Sequence, residues 1–243
     1  MVILPGLTST KKDRIPAFVE DLRRSGERRI ALFPTCLDRA ERAELYRELA
    51  TIPGLRIPHV HIRSDCGLDE LERLSEDFGA EVFNIHPRAS THPYGGELGA
   101  FAPRTFVENV DGAVEDAELE GPPGQALGGI CPDFSHLENA RLHGRDAYVA
   151  TTIAQLGRFA VGCCHLSAIR PGVPNVWSGE WDHHAFSALA DLDYLAAYRR
   201  FMPRRWASLE LENPLGEQLE ARAHIEAMFA AGDRASDGAE GRH

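Results

Sequence analysis

Carboxylate and imidazole side chains recur at the ends of short apolar segments along this chain. A polar group in such a place loses hydration, and a metal ion is the strongest partner that can offset the loss. A single His or Glu here would more often be a hydrogen-bonded structural residue, but a series of them would need a separate partner for each side chain. The repetition therefore predicts a shared metal site. The candidates are His59, His61, His86, Glu108, Asp133, His136, His165, Glu210 and Glu212.

Eight apolar segments carry these residues and have the composition of buried strands. They cover residues 2–4, 30–33, 57–62, 81–85, 105–110, 129–131, 159–166 and 207–211. Between them, apolar residues recur with helical spacing at 15–22, 45–52, 68–78, 149–156, 189–195 and 219–229. Strands that alternate with helices form parallel sheets, and eight such strands can close into a barrel.

We therefore predict an α/β fold, a single (β/α)8 TIM barrel. Because the carboxyl ends of all barrel strands face one rim, the polar residues would meet there. The interval 111–128 contains Gly121 and Gly124 with two prolines between them, which predicts a shortened or irregular helix after strand five. An open doubly wound sheet is the alternative fold.

The chain has 243 residues, of which 43% are apolar and 26% are charged. This balance is typical of a globular protein and excludes disordered, collagen-like and coiled-coil chains. We assign residues 1–231 to one catalytic barrel domain. Residues 232–243 have no apolar anchor, which predicts a disordered tail.

Charge and cysteine content limit the partners and the compartment. With 26 Lys and Arg against 37 Asp and Glu, the formal net charge is −11, which disfavours nucleic acid and anionic membranes as partners. No apolar run approaches the length of a membrane span, and the first residues lack the pattern of a signal peptide. The five cysteines have no CxxC spacing, as is typical of reduced thiols. We expect a cytoplasmic protein, and the sequence leaves a homo-oligomer open.

Four of the polar segments together resemble the xylose-isomerase-like TIM barrels. This superfamily includes sugar isomerases and epimerases and the endonuclease-IV type of abasic-site nuclease. The matching segments are FVEN with Glu108, CPDFSHL with Asp133, GCCHLSAI with His165 and SLELENP with Glu210. The resemblance implies that these four residues hold one divalent ion. An oxygen-rich set with one imidazole suits manganese, magnesium, cobalt or zinc.

The eighth strand offers two glutamates for one coordination position. Glu210 and Glu212 have the same parity, so both can face inward. The ELEN context resembles the isomerase-like members and selects Glu210, whereas LENP resembles the nuclease members and selects Glu212. We favour Glu210 as the ligand.

Further residues are implied by the resemblance as substrate contacts. The segment WSGEWDHHAF resembles the Gly-Glu-Gly-Asp loop after strand seven, with the bulkier Trp181 in place of the second Gly. Asp182 and His184 also have the spacing used for a third zinc in the nuclease branch, so a centre with three zinc ions stays open. The expected substrate-binding residues are His61, His86, His136, Arg170, Asp182, His184 and Glu212.

The resemblance implies three functions. The leading hypothesis is a metal-dependent isomerase or epimerase of a small sugar-like polyhydroxy carbonyl compound, with Glu108 and Glu210 as base and acid around an enediolate; a dehydratase would use related chemistry. The alternative is a multinuclear-metal phosphodiesterase acting on damaged DNA, which the net charge of −11 disfavours. The third is a barrel without catalysis that only binds a ligand.

Overall fold

Eight parallel strands form the core of the fold, and each coincides with one predicted apolar run. The computed structural model describes residues 1–88, 90, 94, 96–110, 114–121 and 125–240, with side chains as far as residue 232. The barrel strands are β1 (Val2–Leu4, continued as Gly6–Thr8), β2 (Arg29–Phe33), β3 (Arg56–His61), β4 (Val82–Ile85), β5 (Thr105–Glu108), β6 (Gly129–Cys131), β7 (Cys163–Leu166) and β8 (Trp206–Leu209), and a short antiparallel pair, Ala168–Ile169 with Asp182–His183, lies between β7 and β8.

Strand pairing runs around a complete ring. β1 pairs with β2 through its second half and with β8 through its first half. Parallel ladders join β2 to β3, β3 to β4, β4 to β5, β5 to β6, and β7 to β8. The space between β6 and β7 is spanned by the parallel bridges Ile130–Val161 and Asp133–His165. The strands therefore close into a barrel, which confirms the predicted fold and excludes the open sheet.

The dipeptide Pro5-Gly6, which usually indicates a turn, lies inside strand β1. Pro5 has no N–H to donate, but its carbonyl accepts a hydrogen bond of 2.9 Å from the backbone of Ala31. Gly6 is required because a Cβ at this position would lie 1.9 Å from the carbonyl oxygen of Leu209 in β8. The side-chain amide of Gln218 pairs with both the N–H and the carbonyl of Gly6, at 2.7 and 3.0 Å. These contacts extend the predicted strand past Leu4.

Alternating strand residues separate two kinds of core. Outward-facing residues such as Ile3, Ile30 and Leu32 join one large apolar cluster between the strands and the helices. Inward-facing residues form two small clusters that fill the lower barrel: Leu4, Ala31, Phe33 and Trp206 in one, and Phe106, Cys131 and Cys163 in the other. Above them, the inward positions are polar. Stability therefore comes mainly from the apolar cluster between the strands and the helices. The polar side chains of the upper interior are available for binding or catalysis.

Helices cover the outside of the barrel. They are α1 (Ile15–Ser25), α2 (Arg39–Leu49), α3 (Leu68–Phe78), α4 (Asp116–Glu120), α5 (Phe134–Leu142), α6 (Asp146–Arg158) and α7 (Leu215–Glu240), with 3-10 helices at Lys12–Arg14, Gly99–Arg104 and Leu189–Phe201. The short α4 agrees with the shortened helix expected after strand five, although residues 111–113 and 122–124 lie outside the described part. None of the described helices has the length and apolarity needed to cross a membrane.

The sequence patterns missed one helix and described another differently. Helix α5 begins directly after Asp133 and carries few apolar residues with regular spacing, so periodicity did not indicate it. The stripe predicted at 189–195 lies in the 3-10 helix Leu189–Phe201. The backbone of α7 is helical to Glu240, and the disordered tail over 232–243 stays a prediction.

A buried ion pair joins α2 to α3. The guanidinium of Arg42, which is 1% exposed, donates to both carboxylate oxygens of Glu70 at 2.6 and 2.8 Å. The hydroxyl of Tyr46 donates to the same carboxylate at 2.8 Å. Removing one partner from a buried pair leaves a charge without compensation, which costs more than the pair itself contributes.

We predict that Glu70→Ala lowers the free energy of unfolding by about 3–5 kcal/mol, because Arg42 would lose its buried counter-charge and keep only the half-exposed carboxylate of Asp65, at 2.9 Å. Glu20→Ala is the matched control: Glu20 forms an exposed pair with Arg24 at 2.8 Å, and its loss should cost less than about 1 kcal/mol. Urea denaturation followed by circular dichroism measures both. Equal losses in the two variants would contradict the role given to the buried pair.

Candidate metal centre

Four polar side chains converge at the carboxyl ends of β5 to β8. They are Glu108, Asp133, His165 and Glu210, all buried, and their ligand atoms lie within 4.8 Å of one another. His165 is central: its Nδ1 lies 3.1 Å from Glu210 Oε2, 3.5 Å from Glu108 Oε1 and 3.9 Å from Asp133 Oδ2. The structure thus brings together the four residues that the resemblance implies as ligands.

Helix α5 orients Asp133 toward this cluster. Asp133 is the residue before the first turn of the helix, and its Oδ1 accepts hydrogen bonds from the backbone N–H of Ser135 at 2.7 Å and of His136 at 3.2 Å. The Ser135 hydroxyl donates to the same oxygen at 2.6 Å. The other oxygen, Oδ2, is buried without a hydrogen-bond partner and faces His165. Capping therefore holds one oxygen and presents the second to the cluster.

Opposite charges shift the pKa values within the cluster. Burial opposes the charged forms of Glu108 and Glu210, but the charge of His165 outweighs it, so the pKa of Glu108 is lowered and that of Glu210 falls to about 2. Burial also opposes protonation of His165, yet the two glutamates raise its pKa well above the usual value. Burial raises the pKa of Asp133. A protonated His165 thus balances part of the carboxylate charge, a task that a cation would perform more fully.

A second donor group adjoins the first on the β3 and β4 side. It consists of His61, His86 and Glu108, whose ligand atoms lie within 4.8 Å of one another. His61 Nδ1 is 3.5 Å from Glu108 Oε2, and the His61 and His86 rings are perpendicular with centroids 4.6 Å apart. Burial lowers the pKa of His61 to about 3, so at neutral pH the imidazole is neutral, with one N–H and one nitrogen lone pair that can bind a metal ion.

A third, looser group lies on the opposite side and joins α5 to the loop between β7 and β8. His136 Nδ1 lies 3.2 Å from Asp182 Oδ2, and His136 Nε2 lies 3.8 Å from Asp133 Oδ2. His184 Nδ1 is 3.8 Å from Glu210 Oε1. Burial would lower the pKa of His136, but Asp133 and Asp182 raise it well above the usual value.

Buried atoms without hydrogen-bond partners show whether metal ions fit these residues. Leaving such an atom unsatisfied costs about 1–3 kcal/mol, and carboxylate and imidazole donors together suit zinc and manganese. Because several of these atoms face the same carboxylates, the described residues fit a divalent metal ion. The atoms are His61 Nδ1 and Nε2, Asp133 Oδ2, His165 Nδ1 and Nε2, Asp182 Oδ1 and His184 Nδ1.

A buried row of hydrogen bonds supports Glu108 from below. The amide nitrogen of Asn84 donates to Glu108 Oε2 at 2.8 Å, and the Asn84 oxygen lies 2.9 Å from His59 Nε2. Because that oxygen only accepts, His59 Nε2 must carry the proton, and Nδ1 is free to accept from the Ser208 hydroxyl at 2.7 Å. His59 is therefore a supporting residue. Asn84 was missed from the sequence, although an Asn inside an apolar strand could have indicated it.

Helix α5 also fixes the loop that carries Asp182 and His184. The amide of Asn139 donates to Glu180 Oε2 at 2.6 Å and accepts from the backbone N–H of Trp181 at 2.9 Å. The Trp181 ring lies 4.4 Å from the His143 ring. The bulky residue in place of a Gly thus packs against α5, and Asn139 is a second support that the sequence patterns did not reveal.

Two predicted residues lie apart from the four-residue cluster. Glu212 is held by Lys11 and by the Thr10 hydroxyl, each at 2.7 Å. Strand β8 ends at Leu209, so equal parity does not keep Glu212 beside Glu210. Arg170 lines the neighbouring cleft, with its Nε 4.0 Å from Asp191 Oδ2, which is longer than a hydrogen bond.

Comparison with solved structures found likenesses spanning most of the chain. An endonuclease IV from Thermus thermophilus is 18% identical, with 93% of this chain and 100% of that chain covered and a TM-score of 0.47. A xylose isomerase domain protein from Alicyclobacillus acidocaldarius is 16% identical, with 94% and 99% covered and a TM-score of 0.47. No protein-family model and no curated protein matches the chain.

We predict that Glu210→Gln lowers metal affinity by about 100-fold or more, because loss of a supporting residue alone can cost 10- to 100-fold. Glu212→Gln is the matched control on the same segment and should keep the affinity within about threefold, since Glu212 contacts Lys11 and Thr10 instead. Titration with zinc or manganese against a competing chelator measures both variants. The reverse ranking would identify Glu212 as the ligand.

We predict that metal binding releases a proton from His165. Its pKa is raised above the usual value, so at neutral pH the imidazole is protonated and an ion must displace that proton. Affinity should therefore rise with pH, by up to about tenfold per pH unit for one proton, and level off above the raised pKa. Calorimetry in buffers of different ionisation enthalpy counts the protons, with Glu212→Gln as the control that keeps the release. Affinity independent of pH near neutrality would exclude this role.

Proposed function

We propose that this chain is a metal-dependent hydrolase that cleaves phosphate esters at a multinuclear centre. One observation carries the proposal: each carboxylate of the cluster faces two imidazoles that belong to different donor groups, at distances between 3.1 and 3.9 Å. The sets are Glu108 with His61 and His165, Glu210 with His165 and His184, and Asp133 with His165 and His136.

Carboxylates placed between imidazole groups would each help to hold a cation together with either neighbouring imidazole. His61 also lies with His165 and Glu210 in a group whose ligand atoms are within 4.8 Å of one another, but a single ion there would leave the unpartnered Nδ1 of His184 without an ion to bind. Bound divalent ions would supply Lewis-acid chemistry, neutralising the phosphate charge and lowering the pKa of an attacking water. Paired and clustered ions recur in enzymes that hydrolyse phosphate esters.

The chain's own residues position the reacting groups. Asn84 and Ser135 each donate to a cluster carboxylate, at 2.8 and 2.6 Å, and so hold Glu108 and Asp133 in place. Burial of these groups excludes water and strengthens their electrostatic interactions. Arg170, on the wall of the adjoining cleft, is placed to meet a phosphate oxygen, which a guanidinium binds in a bidentate manner.

The isomerase hypothesis asks more of Glu108 and Glu210 than their surroundings support. As general base and acid they would need pKa values near the working pH. A divalent ion in place of the His165 proton would keep both carboxylates ionised as ligands, and so hold their pKa values below that range. A single-ion isomerase also gives no ligand role to His184. The isomerase therefore remains the second candidate, and the number of bound ions distinguishes it.

We predict that the purified protein binds three divalent ions and hydrolyses bis(p-nitrophenyl) phosphate, with no isomerisation of a ketose panel. His61→Ala should lose one ion and lower activity by about 100-fold, because an imidazole donor of the second group is gone. His224→Ala, at an exposed pair with Asp193, is the control and should keep both. Elemental analysis and the colorimetric assay measure these outcomes. One ion with ketose isomerisation would overturn the proposal, and no ion would indicate a binding-only barrel.

A further inference from the structure

A cleft of about 770 Å³ opens beside the metal centre. Its lining includes His136, Asp182 and His184 from the third donor group, the cation of Arg170, and Trp177. This volume lies within the range of about 300–1,000 Å³ that is usual for small-molecule sites and far exceeds what one phosphate group fills. The cleft therefore has room for the organic part of an ester whose phosphate lies at the metal ions.

The ring of Trp177 stands at this cleft almost fully in solvent. Trp177 is 92% exposed, whereas Trp206 is 5% exposed inside the barrel, and Trp181 packs on His143. A large aromatic side chain left in water next to a functional site is a feature of binding surfaces, since burial of its faces is still available to a ligand.

Hydrogen bonds hold the tip of this loop in an ordered turn. The N–H of Trp177 donates to the side-chain oxygen of Asn175 at 2.9 Å, and the Asn175 amide donates to the carbonyl of Asp182 at 3.2 Å. The N–H of Asn175 donates to the carbonyl of Glu180 at 2.6 Å. Asn175 thus ties the tip directly to a residue of the third donor group, and the exposure of Trp177 belongs to a fixed arrangement.

The distance between the ring and the metal centre is limited by the chain. Trp177 precedes Asp182 by five positions, so their Cα atoms are at most about 18 Å apart. A single ester that has its phosphate at the centre and a planar ring a few bonds away can therefore reach both. Stacking on an aromatic side chain contributes about 1–3 kcal/mol per base and tolerates any base, because every base has a π-face.

We propose that Trp177 stacks on a planar ring of the substrate, and that the substrate is a small nucleobase-bearing phosphate ester. The inference rests on the proposed phosphate-ester hydrolysis. A polynucleotide is disfavoured because the net charge is −11 and because Glu180, Asp182 and Glu212 also line the cleft. Long nucleic acids gain most of their affinity from cations that neutralise many phosphates.

The test compares adenosine 5′-monophosphate with ribose 5-phosphate, which differ by the base alone. Calorimetry on the metal-loaded protein should show adenosine 5′-monophosphate binding about 5- to 150-fold tighter. In Trp177→Ala this ratio should fall to within about twofold, and Trp177→Phe should restore part of it. Val176→Ala is the matched control: Val176 is also exposed, at 89%, but has no ring, so the ratio should persist.

Each other outcome overturns the inference in a recognisable way. Equal binding of the two ligands by the wild-type protein, or an unchanged ratio in Trp177→Ala, removes the role of the ring while phosphate-ester hydrolysis stands on its own assay. Failure of both ligands to bind removes the inference, and hydrolysis of bis(p-nitrophenyl) phosphate then decides separately whether the proposed function stands. An unchanged ratio accompanied by an altered sedimentation coefficient in Trp177→Ala would assign this surface to contact between copies of the chain, and tighter binding of a single-stranded oligonucleotide would assign it to nucleic acid.

Discussion

The concentration of negative charge in the mouth of the barrel is the constraint on which the rest of the site depends. Glu108, Asp133 and Glu210 are buried around His165, each within 4 Å of its Nδ1. Buried carboxylates need compensation from positive charge or from several donors. Hydrogen-bond donors from outside the cluster compensate part of the negative charge of these carboxylates. The carboxylate oxygens that face the barrel mouth are left for cations.

The donors come from elements whose other role is structural. Asn84 lies in β4 and is held by His59 of β3, which in turn pairs with Ser208 of β8. Ser135 is the second residue of α5, and Asn139 of the same helix binds the loop with Asp182 and His184. The geometry of the site is therefore connected to the closure of the barrel and to the start of one helix.

The residues that stabilise the fold and the residues of the candidate site lie in different layers of the barrel. The large apolar cluster lies between strands and helices, and the buried pair of Arg42 and Glu70 stabilises the contact of α2 with α3 on that outer side. The polar layer at the upper end of the interior contributes unsatisfied groups instead of packing. Such a site is destabilising without its ions, and binding of ions to the folded chain alone would shift the folding equilibrium in its favour.

The sequence by itself determined the fold class and the strands on which the site residues lie. Apolar runs and helical stripes have periods that follow from backbone geometry, and a polar residue at the end of an apolar run is visible without coordinates. The same logic led to Glu108, Asp133, His165 and Glu210 through their resemblance to known motifs.

Only the tertiary structure decided which of these side chains contact one another and at what distances. Parity could not separate Glu210 from Glu212, because β8 ends at Leu209 and the chain then turns Glu212 toward Lys11. The supporting roles of Asn84 and Asn139 depend on partners 24 and 41 residues away. The sharing of carboxylates between imidazole groups, on which the proposed hydrolase rests, is a matter of distances across the barrel mouth, and sequence spacing along the chain contains no such distances.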